Sequence, residues 1–174
     1  MKDSEVLLDT KRFRVVRQNY ETTRGQEVVR ETVEHPGAVI ILPLLAEDRV
    51  CLIRNYRHAV GETLIELPAG TLEPGEEPLE TAHRELIEET GYRAAKIEPL
   101  HTFFASPGIL TERMYLFAAS ELTAGEQQLE DSEEIERLEV TWSQAIEMVH
   151  RQEIKDAKTL VGLLFYDRFL RERP

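Results

Sequence analysis

Three glutamates stand close together in one short stretch of the chain: Glu85, Glu88 and Glu89. Residues three and four apart lie on the same side of an α-helix, so on a helix all three carboxylates can point toward one site about one turn long. Carboxylates are the ligands that hard cations such as Mg²⁺ and Mn²⁺ prefer, and these ions neutralise phosphate oxygens and lower the pKa of an attacking water. The spacing is therefore what a site for divalent cations would need.

The charge around these glutamates is unbalanced, because residues 73–89 carry seven acids and one arginine, Arg84. Bringing the acids together without a cation costs electrostatic repulsion, which metal binding would relieve. Arg84 is predicted to orient one of the carboxylates through a charge-assisted hydrogen bond rather than to touch a substrate. The alternative interpretation of such a run is a solvated acidic helix face.

The segment from Gly70 to Tyr92 reads GTLEPGEEPLETAHRELIEETGY. It resembles the Nudix box, G-x5-E-x7-R-E-U-x-E-E-x-G-U, where U is a bulky aliphatic residue. Every charged and glycine position matches, and only Tyr92 departs from the pattern. The resemblance implies a metal-dependent hydrolase with two or three Mg²⁺ or Mn²⁺ ions in the site. The implied metal ligands are Glu85, Glu88 and Glu89, the backbone carbonyl of Ala69, and Glu76 in an assisting role.

A second segment extends the resemblance toward one branch of this family. Ser106, Pro107 and Gly108, followed by Glu112, are similar to the S-P-G-x-x-x-E segment typical of ADP-ribose pyrophosphatases. The resemblance implies hydrolysis of ADP-ribose, a small nucleoside diphosphate substrate, to AMP and ribose 5-phosphate, with Ser106, Gly108 and Glu112 binding the substrate. Two alternatives stay open: another nucleoside diphosphate derivative or nucleotide sugar, and a sensor that binds nucleotide without cleaving it.

Further site residues follow from the same resemblance. Arg57, and with it Arg30 and Arg54, is implied to hold phosphates or the terminal ribose, since arginine grips such oxygens in a bidentate manner. The competing interpretation is that these arginines pair with acids on a solvated strand face. A general base is implied in a mobile acidic loop at residues 130–134, where Glu133 is favoured over Asp131 and Glu134.

Composition excludes several other functions. The formal net charge of −12 disfavours nucleic acid and anionic membrane surfaces as partners. The histidines show no metal-ligand spacing, so no zinc site is predicted, and Trp142, Phe103 and Phe104 are expected to be core residues. The single cysteine, Cys51, lies in an apolar run and favours a buried thiol in a reducing compartment. Without an apolar signal region, the chain is expected to be cytoplasmic.

The elements that must position the site form an alternating pattern. At 174 residues one domain is expected, with residues 1–35 as an N-terminal antiparallel β element that the resemblance implies in homodimer formation, and 36–174 as the catalytic core. The predicted fold class is α/β, an α/β/α sandwich around a mixed β-sheet, which the resemblance supports as the Nudix fold. Predicted strands cover 12–19, 26–33, 38–45, 49–56, 64–67, 97–105, 114–119 and 139–142, and predicted helices 78–91, 143–152 and 157–171.

Overall fold

The structure of the protein is a computed structural model that describes residues 4–130 and 133–171. The described residues form ten strands and three helices. The strands are β1 Ser4–Asp9, β2 Arg14–Glu21, β3 Glu27–Glu34, β4 Ala38–Leu45, β5 Arg49–Arg57, β6 Glu62–Glu66, β7 Ala69–Thr71, β8 Arg93–Phe104, β9 Arg113–Thr123 and β10 Ile135–Thr141. The helices are α1 Pro78–Thr90, α2 Trp142–His150 and α3 Ala157–Phe169.

The strands make two sheets. The first three pair antiparallel in the order β1-β2-β3. The second sheet has seven strands, with the order β10-β5-β4-β9-β8 and with β6 beside β5 and β7 beside β4. Its pairing is antiparallel except between β4 and β9, which run parallel. The N-terminal antiparallel element and the mixed main sheet are both as predicted.

Strand β4 shows why the main sheet has helices on both sides. Its residues from Ala38 to Pro43 are all buried. This is predicted by the sequence, in which the odd-numbered and the even-numbered positions of the strand are both apolar. Ile40 and Leu42 pack into a cluster with residues of α2 and α3, whereas Val39 and Ile41 pack into a second cluster with residues of α1. Successive side chains of a strand point to opposite faces, so the two clusters confirm the predicted α/β/α sandwich.

Helix α1 begins and ends where its flanking residues predict. Pro78 occupies the first turn, where its missing N–H costs nothing, and Gly91 closes the helix at φ 74°, a left-handed conformation that favours glycine. The spacing of Leu79, Ala82 and Leu86 predicts one buried stripe on this helix, and for Leu79 that prediction is wrong, since its side chain is 45% exposed. At about 100° per residue Leu79 falls between the buried Leu86 and Thr90, so its exposure follows from its place in the first turn of α1, before the buried residues begin at Thr81.

The same spacing predicts Glu85, Glu88 and Glu89 on a different face of α1 from the apolar stripe. Glu85 and Glu89 are only 8% and 3% exposed and lie on the same side of α1 as the buried Ala82 and Leu86. The structure instead buries two of the three box glutamates against the sheet edge.

Several element boundaries differ from the predicted ones. Strand β1 was not predicted, and β7 lies in a segment predicted as loop, because its pairing with β4 is backbone hydrogen bonding that glycine-rich composition hides. Ser143 is the N-cap that residue type predicts for α2, but Thr141 caps the helix. Thr141 Oγ1 accepts from the Gln144 N–H at 3.2 Å, and the Gln144 side chain accepts from the Thr141 N–H at 2.9 Å, a reciprocal capping box. Trp142 therefore opens the helix.

Cys51 lies on β5 and is fully buried, as predicted. Burial raises the pKa of its thiol to about 12. Because the thiolate is the reactive form, we expect the native protein to resist alkylation by iodoacetamide at pH 8 and to be labelled once unfolded in guanidinium chloride. Mass spectrometry of both samples measures this, and rapid labelling of the native protein would contradict the buried position.

None of the helices in the described ranges is long and apolar enough to cross a membrane.

Candidate active site

The site is built where α1 crosses the short strand β7. Glu89 Oε2 accepts a hydrogen bond of 2.8 Å from the Ala69 backbone N–H. The next residue, Gly70, passes so close to α1 that a Cβ there would lie 1.8 Å from the Glu85 carboxyl carbon. Only glycine fits this position without displacing the Glu85 side chain. The backbone at 69–70 and the two buried carboxylates therefore form one compact unit.

Arg84 lies at the centre of the remaining acids. Its Nε and Nη2 donate to the two carboxylate oxygens of Glu76 at 3.1 and 3.0 Å, which is a bidentate pair. Its Nη1 donates to Glu85 Oε1 at 2.7 Å and to Glu88 Oε2 at 3.0 Å. Arg84 is thus in direct contact with three of the carboxylates predicted as metal ligands, in a geometry that can orient them.

Burial and charge shift the acidities of these groups in different directions. Burial raises the pKa of Glu85 to about 7, against the influence of Arg84 and with that of Glu88 and Glu133. Burial likewise raises the pKa of Glu89 to about 8, despite the hydrogen bond from Ala69. The hydrogen bonds from Arg84 lower the pKa of Glu76 to about 2. Two carboxylates are therefore held where their negative charge is poorly compensated.

The predicted general base lies near these groups. Glu133 Oε2 accepts from the Glu130 N–H at 2.9 Å, which folds the loop back on itself. The charge of Glu133 contributes to the raised pKa of both Glu85 and Glu89. Asp131, the alternative base, lies outside the described residues. Glu134 is described and is exposed.

The loop that carries Glu133 is attached to the end of α1. The Gln127 side chain donates to the Glu89 carbonyl at 2.6 Å, and the Gln128 N–H donates to the Glu88 carbonyl at 2.9 Å. Gly91 and Gly125 approach so closely that a Cβ on Gly91 would lie 2.4 Å from the Gly125 carbonyl oxygen. The two glutamines satisfy carbonyls that the helix end leaves unpaired. Sequence reasoning missed these contacts, because glutamines in a polar loop carry no distinctive spacing.

The three predicted substrate arginines lie in different surroundings. The Arg57 guanidinium makes a bidentate pair with Glu66, at 2.8 and 2.6 Å, and its charge acts on Glu89. Arg54 lies at a half-buried position of β5, and its Nη1 is 3.5 Å from Glu136 Oε2. Arg30 lies on β3 and donates to the Val29 carbonyl at 3.0 Å. We call Glu76, Glu85, Glu88 and Glu89 the acidic cluster. Arg57 is the one of the three arginines whose charge acts on a member of this cluster, among the described residues.

The Ser106-Pro107-Gly108 segment forms a turn that is joined to the N-terminal sheet. The Ser106 carbonyl accepts from the Ile109 and Leu110 N–H groups. The Val33 N–H donates to the Ile109 carbonyl at 2.8 Å, and the Val33 carbonyl accepts from the Thr111 N–H at 2.9 Å. An open cavity of about 280 Å³ adjoins the turn. It is lined by Thr32, Phe104, Pro107, Gly108, Ile109, Leu110 and Thr111.

Other predicted residues lie around this turn or in the core. Glu112 Oε1 is 3.5 Å from His35 Nδ1, which links the segment to the chain that leads into β4. Trp142 is buried as predicted and donates to Asp167 at 2.8 Å. Phe104 is 48% exposed, so the core assignment for this residue is wrong. Phe104 is the last residue of β8, at the end of the strand.

The donor set fits a hard divalent cation. All the candidate side-chain ligands are carboxylates, two of them are buried with poorly compensated charge, and Gly70 leaves room for close approach of the backbone. In the described part of the chain, no three His, Cys, Asp or Glu side chains are already arranged around a common point. Arg84 accounts for this, because it draws Glu76, Glu85 and Glu88 toward its own guanidinium.

A mixed-sheet α/β/α fold that presents glutamates from one helix against a glycine turn defines a class of metal-dependent pyrophosphohydrolase. The model of the NUDIX domain matches residues 34–161, so the chain belongs to the NUDIX family of hydrolases, which generally use divalent metals.

Three proteins that are similar to this chain are consistent with its place in the NUDIX family. The chain is 39% identical over 150 residues to an ADP-ribose pyrophosphatase of Bacillus subtilis, covering 85% of this chain and 81% of the relative. It is 36% identical over 147 residues to a methanol dehydrogenase activator of Bacillus methanolicus, covering 83% and 80%. It is 37% identical over 156 residues to a GDP-mannose pyrophosphatase of Salmonella typhimurium, covering 82% and 81%.

A solved structure shows the same fold. The crystal structure of an ADP compounds hydrolase superposes with a TM-score of 0.83 at 22% sequence identity, and the match covers 97% of this chain and 91% of that one.

Proposed function

We propose that the protein hydrolyses the pyrophosphate bond of ADP-ribose to AMP and ribose 5-phosphate. The observation that carries this proposal is the pair of buried carboxylates, Glu85 and Glu89, packed against the backbone at Ala69 and Gly70. The similarity to an ADP-ribose pyrophosphatase over 85% of the chain supports the choice of substrate. The S-P-G-x-x-x-E segment at residues 106–112 agrees with it.

In this proposal Mg²⁺ or Mn²⁺, two or three ions per site, are held by Glu85, Glu88, Glu89 and the Ala69 carbonyl, with Glu76 assisting. The ions supply charge neutralisation on the diphosphate and a lowered pKa for the attacking water. Arg84 already contacts Glu76, Glu85 and Glu88. It positions these carboxylates and takes up part of their negative charge when no cation is present.

The other roles belong to residues around the acidic cluster. Glu133 accepts the proton of the nucleophilic water, since its carboxylate lies near enough to Glu85 and Glu89 to perturb both. Arg57 binds a phosphate oxygen through the guanidinium N–H groups that its pair with Glu66 does not use. Ser106, Gly108 and Glu112 bind the ribose side of the substrate, and Arg30 and Arg54 contribute at the periphery of the site.

The chain is one catalytic domain that we propose to form a homodimer in the cytoplasm. Residues 1–35 provide the dimer contact in this proposal. Exposed apolar side chains on the first sheet support it, among them Val6, Leu8, Tyr20 and Val29, which are 41–50% exposed. Sedimentation equilibrium of the wild-type protein measures the association directly.

A substrate panel tests the proposed activity. We expect ADP-ribose with Mg²⁺ to give equimolar AMP and ribose 5-phosphate, and we expect no product when EDTA removes the cation. The panel also contains ADP-glucose, GDP-mannose and nucleoside triphosphates, with products separated by anion-exchange chromatography. Release of inorganic pyrophosphate from a triphosphate, with ADP-ribose left intact, would contradict the proposal.

The second candidate is a nucleotide sugar, which the 37% identity to a GDP-mannose pyrophosphatase favours. Both substrates contain the same diphosphate, so the acidic cluster serves either, and the residues that contact the two ends must discriminate. A higher kcat/KM for GDP-mannose than for ADP-ribose in the panel would select this candidate. Tight binding of ADP-ribose without any product would instead indicate a nucleotide sensor.

A further inference from the structure

Glu66 is a charged residue at the end of β6 that is completely buried. Its carboxylate accepts three hydrogen bonds from two cations. Arg57 Nε and Nη2 donate to its two oxygens at 2.8 and 2.6 Å, and Lys158 Nζ donates to Oε2 at 2.5 Å. Burial works to raise the pKa of Glu66, but these hydrogen bonds and charges outweigh burial, and the pKa is lowered. The carboxylate is therefore ionised and fully engaged at neutral pH.

The segment that follows Glu66 leads directly into the acidic cluster. The Leu67 N–H donates to Thr159 Oγ1 at 2.8 Å, and the Ala69 N–H donates to Glu89 at 2.8 Å. Only two residues separate Glu66 from Ala69. The Glu66 side chain and the floor of the cluster thus belong to one short, hydrogen-bonded segment.

Arg57 connects this buried acid to the cluster. Its hydrogen bonds to Glu66 raise its pKa most, and the charges of Glu66, Glu89 and Asp156 raise it further. Two of its three guanidinium nitrogens are used by Glu66, whereas Nη1 has no hydrogen-bond partner among the described residues. Its side chain is 40% exposed. One edge of the guanidinium is fixed and the opposite edge is accessible to an anionic oxygen.

Lys158 holds the same carboxylate from the first turn of α3. Its Nζ also donates to Asp156 Oδ1 at 2.8 Å, and Asp156 caps the helix by accepting from the Thr159 N–H at 2.9 Å. The four charges of Arg57, Glu66, Asp156 and Lys158 alternate in sign and sum to zero. The network therefore needs no external ion, in contrast to the acidic cluster beside it.

We propose that Glu66 is a positioning residue for the reaction: its buried carboxylate fixes one edge of the Arg57 guanidinium and leaves the other edge to the substrate diphosphate, and Lys158 fixes Glu66 from α3. This inference rests on the proposed function, because the diphosphate that Arg57 contacts is that of the proposed substrate. A flexible arginine on a strand would lose side-chain freedom on binding each substrate molecule. An arginine already fixed by a fork to a buried acid loses less of it.

A double-mutant cycle tests the inference. Glu66→Gln keeps the shape of the side chain but loses the ionised fork, and we expect KM to rise roughly tenfold with kcat little changed, the size expected from one weakened charge-assisted contact. Arg57→Ala is expected to raise KM at least as much. In the Arg57→Ala background, Glu66→Gln is expected to have no further effect on KM. An equal effect of Glu66→Gln in both backgrounds would overturn the inference, because Glu66 would then act independently of Arg57.

Two further variants separate positioning from a structural role. Glu62 lies on the same strand as Glu66 and makes an exposed ion pair with Lys155. Glu62→Gln removes that pair and serves as the matched control, with unchanged KM expected. If Glu66→Gln fails to fold, Arg57→Lys keeps a cation beside Glu66 but loses the bidentate fork. That variant is expected to raise KM by a similar factor, and a wild-type KM would overturn the inference.

The cycle is measured on the substrate that the panel selects. Failure of ADP-ribose as a substrate would overturn the proposed function. The coupling between Glu66 and Arg57 in KM can still be measured with the diphosphate substrate that the panel selects. Independent effects of the two substitutions would overturn the positioning role while leaving the proposed function intact.

Discussion

Replacing Glu85 with glutamine is expected to cut kcat by about 10²-fold or more while preserving the fold. The glutamine keeps the size of the side chain and an oxygen that can accept from Arg84, but it removes one of two buried charges facing the backbone at 69–70. Because burial raises the pKa of Glu85 to about 7, the ionised carboxylate is unfavourable in the metal-free fold. The neutral variant is therefore expected to have an unchanged or higher Tm without metal and a smaller rise in Tm on adding Mg²⁺.

The matched control is Glu73→Gln, which removes the same charge from an exposed position in the loop before α1. Its kcat and its Mg²⁺-dependent Tm are expected to equal those of the wild type. Steady-state kinetics and thermal denaturation, each with Mg²⁺ and with EDTA, measure both quantities. Turnover of Glu85→Gln within a few-fold of the wild type would exclude Glu85 as a metal ligand.

The second large effect is expected from Gly70→Ala. A Cβ at this position would lie 1.8 Å from both the Glu85 carboxyl carbon and its Oε1, so the carboxylate must move. Moving it breaks the 2.7 Å hydrogen bond that Arg84 Nη1 donates to Glu85 Oε1. We expect kcat to fall by about 10²-fold, similar to the loss of the carboxylate itself.

The cause of that loss can be checked in a second background. In Glu85→Ala the space beside Gly70 is open, so Gly70→Ala is expected to reduce kcat little further, and the two substitutions should be strongly non-additive. Additive losses in the double variant would show that the alanine acts through the β7 backbone and not through Glu85. A wild-type kcat for Gly70→Ala alone would contradict the close packing at this position.

The parts of the fold that were predictable are those in which a local pattern has one physical meaning. An apolar run on both parities identifies a strand covered on two faces, and β4 has the predicted bounds. Pro78 and Gly91 delimit α1 because each residue restricts the backbone that can surround it. Strand β7 was missed because it exists through pairing with β4, and no side-chain pattern reports a long-range backbone hydrogen bond.

The clustering of the box glutamates around Arg84 was predictable from the resemblance of residues 70–92 to the Nudix box, and their roles in metal binding stay predictions. Their burial was not predictable, because tertiary packing brings the backbone at Ala69 and Gly70 over Glu85 and Glu89. Glu66 was missed for the same reason. Its partners Arg57 and Lys158 are 9 and 92 residues away in sequence, and only the fold brings them together.

A crystal structure of the protein with Mn²⁺ and a non-hydrolysable ADP-ribose analogue tests whether the buried glutamates bind the cation. We expect anomalous density at coordination distance from the carboxylates of Glu85 and Glu89 and the carbonyl of Ala69, next to the diphosphate. Density for Mn²⁺ elsewhere, with those carboxylates still in contact only with Arg84 and the backbone, would contradict it.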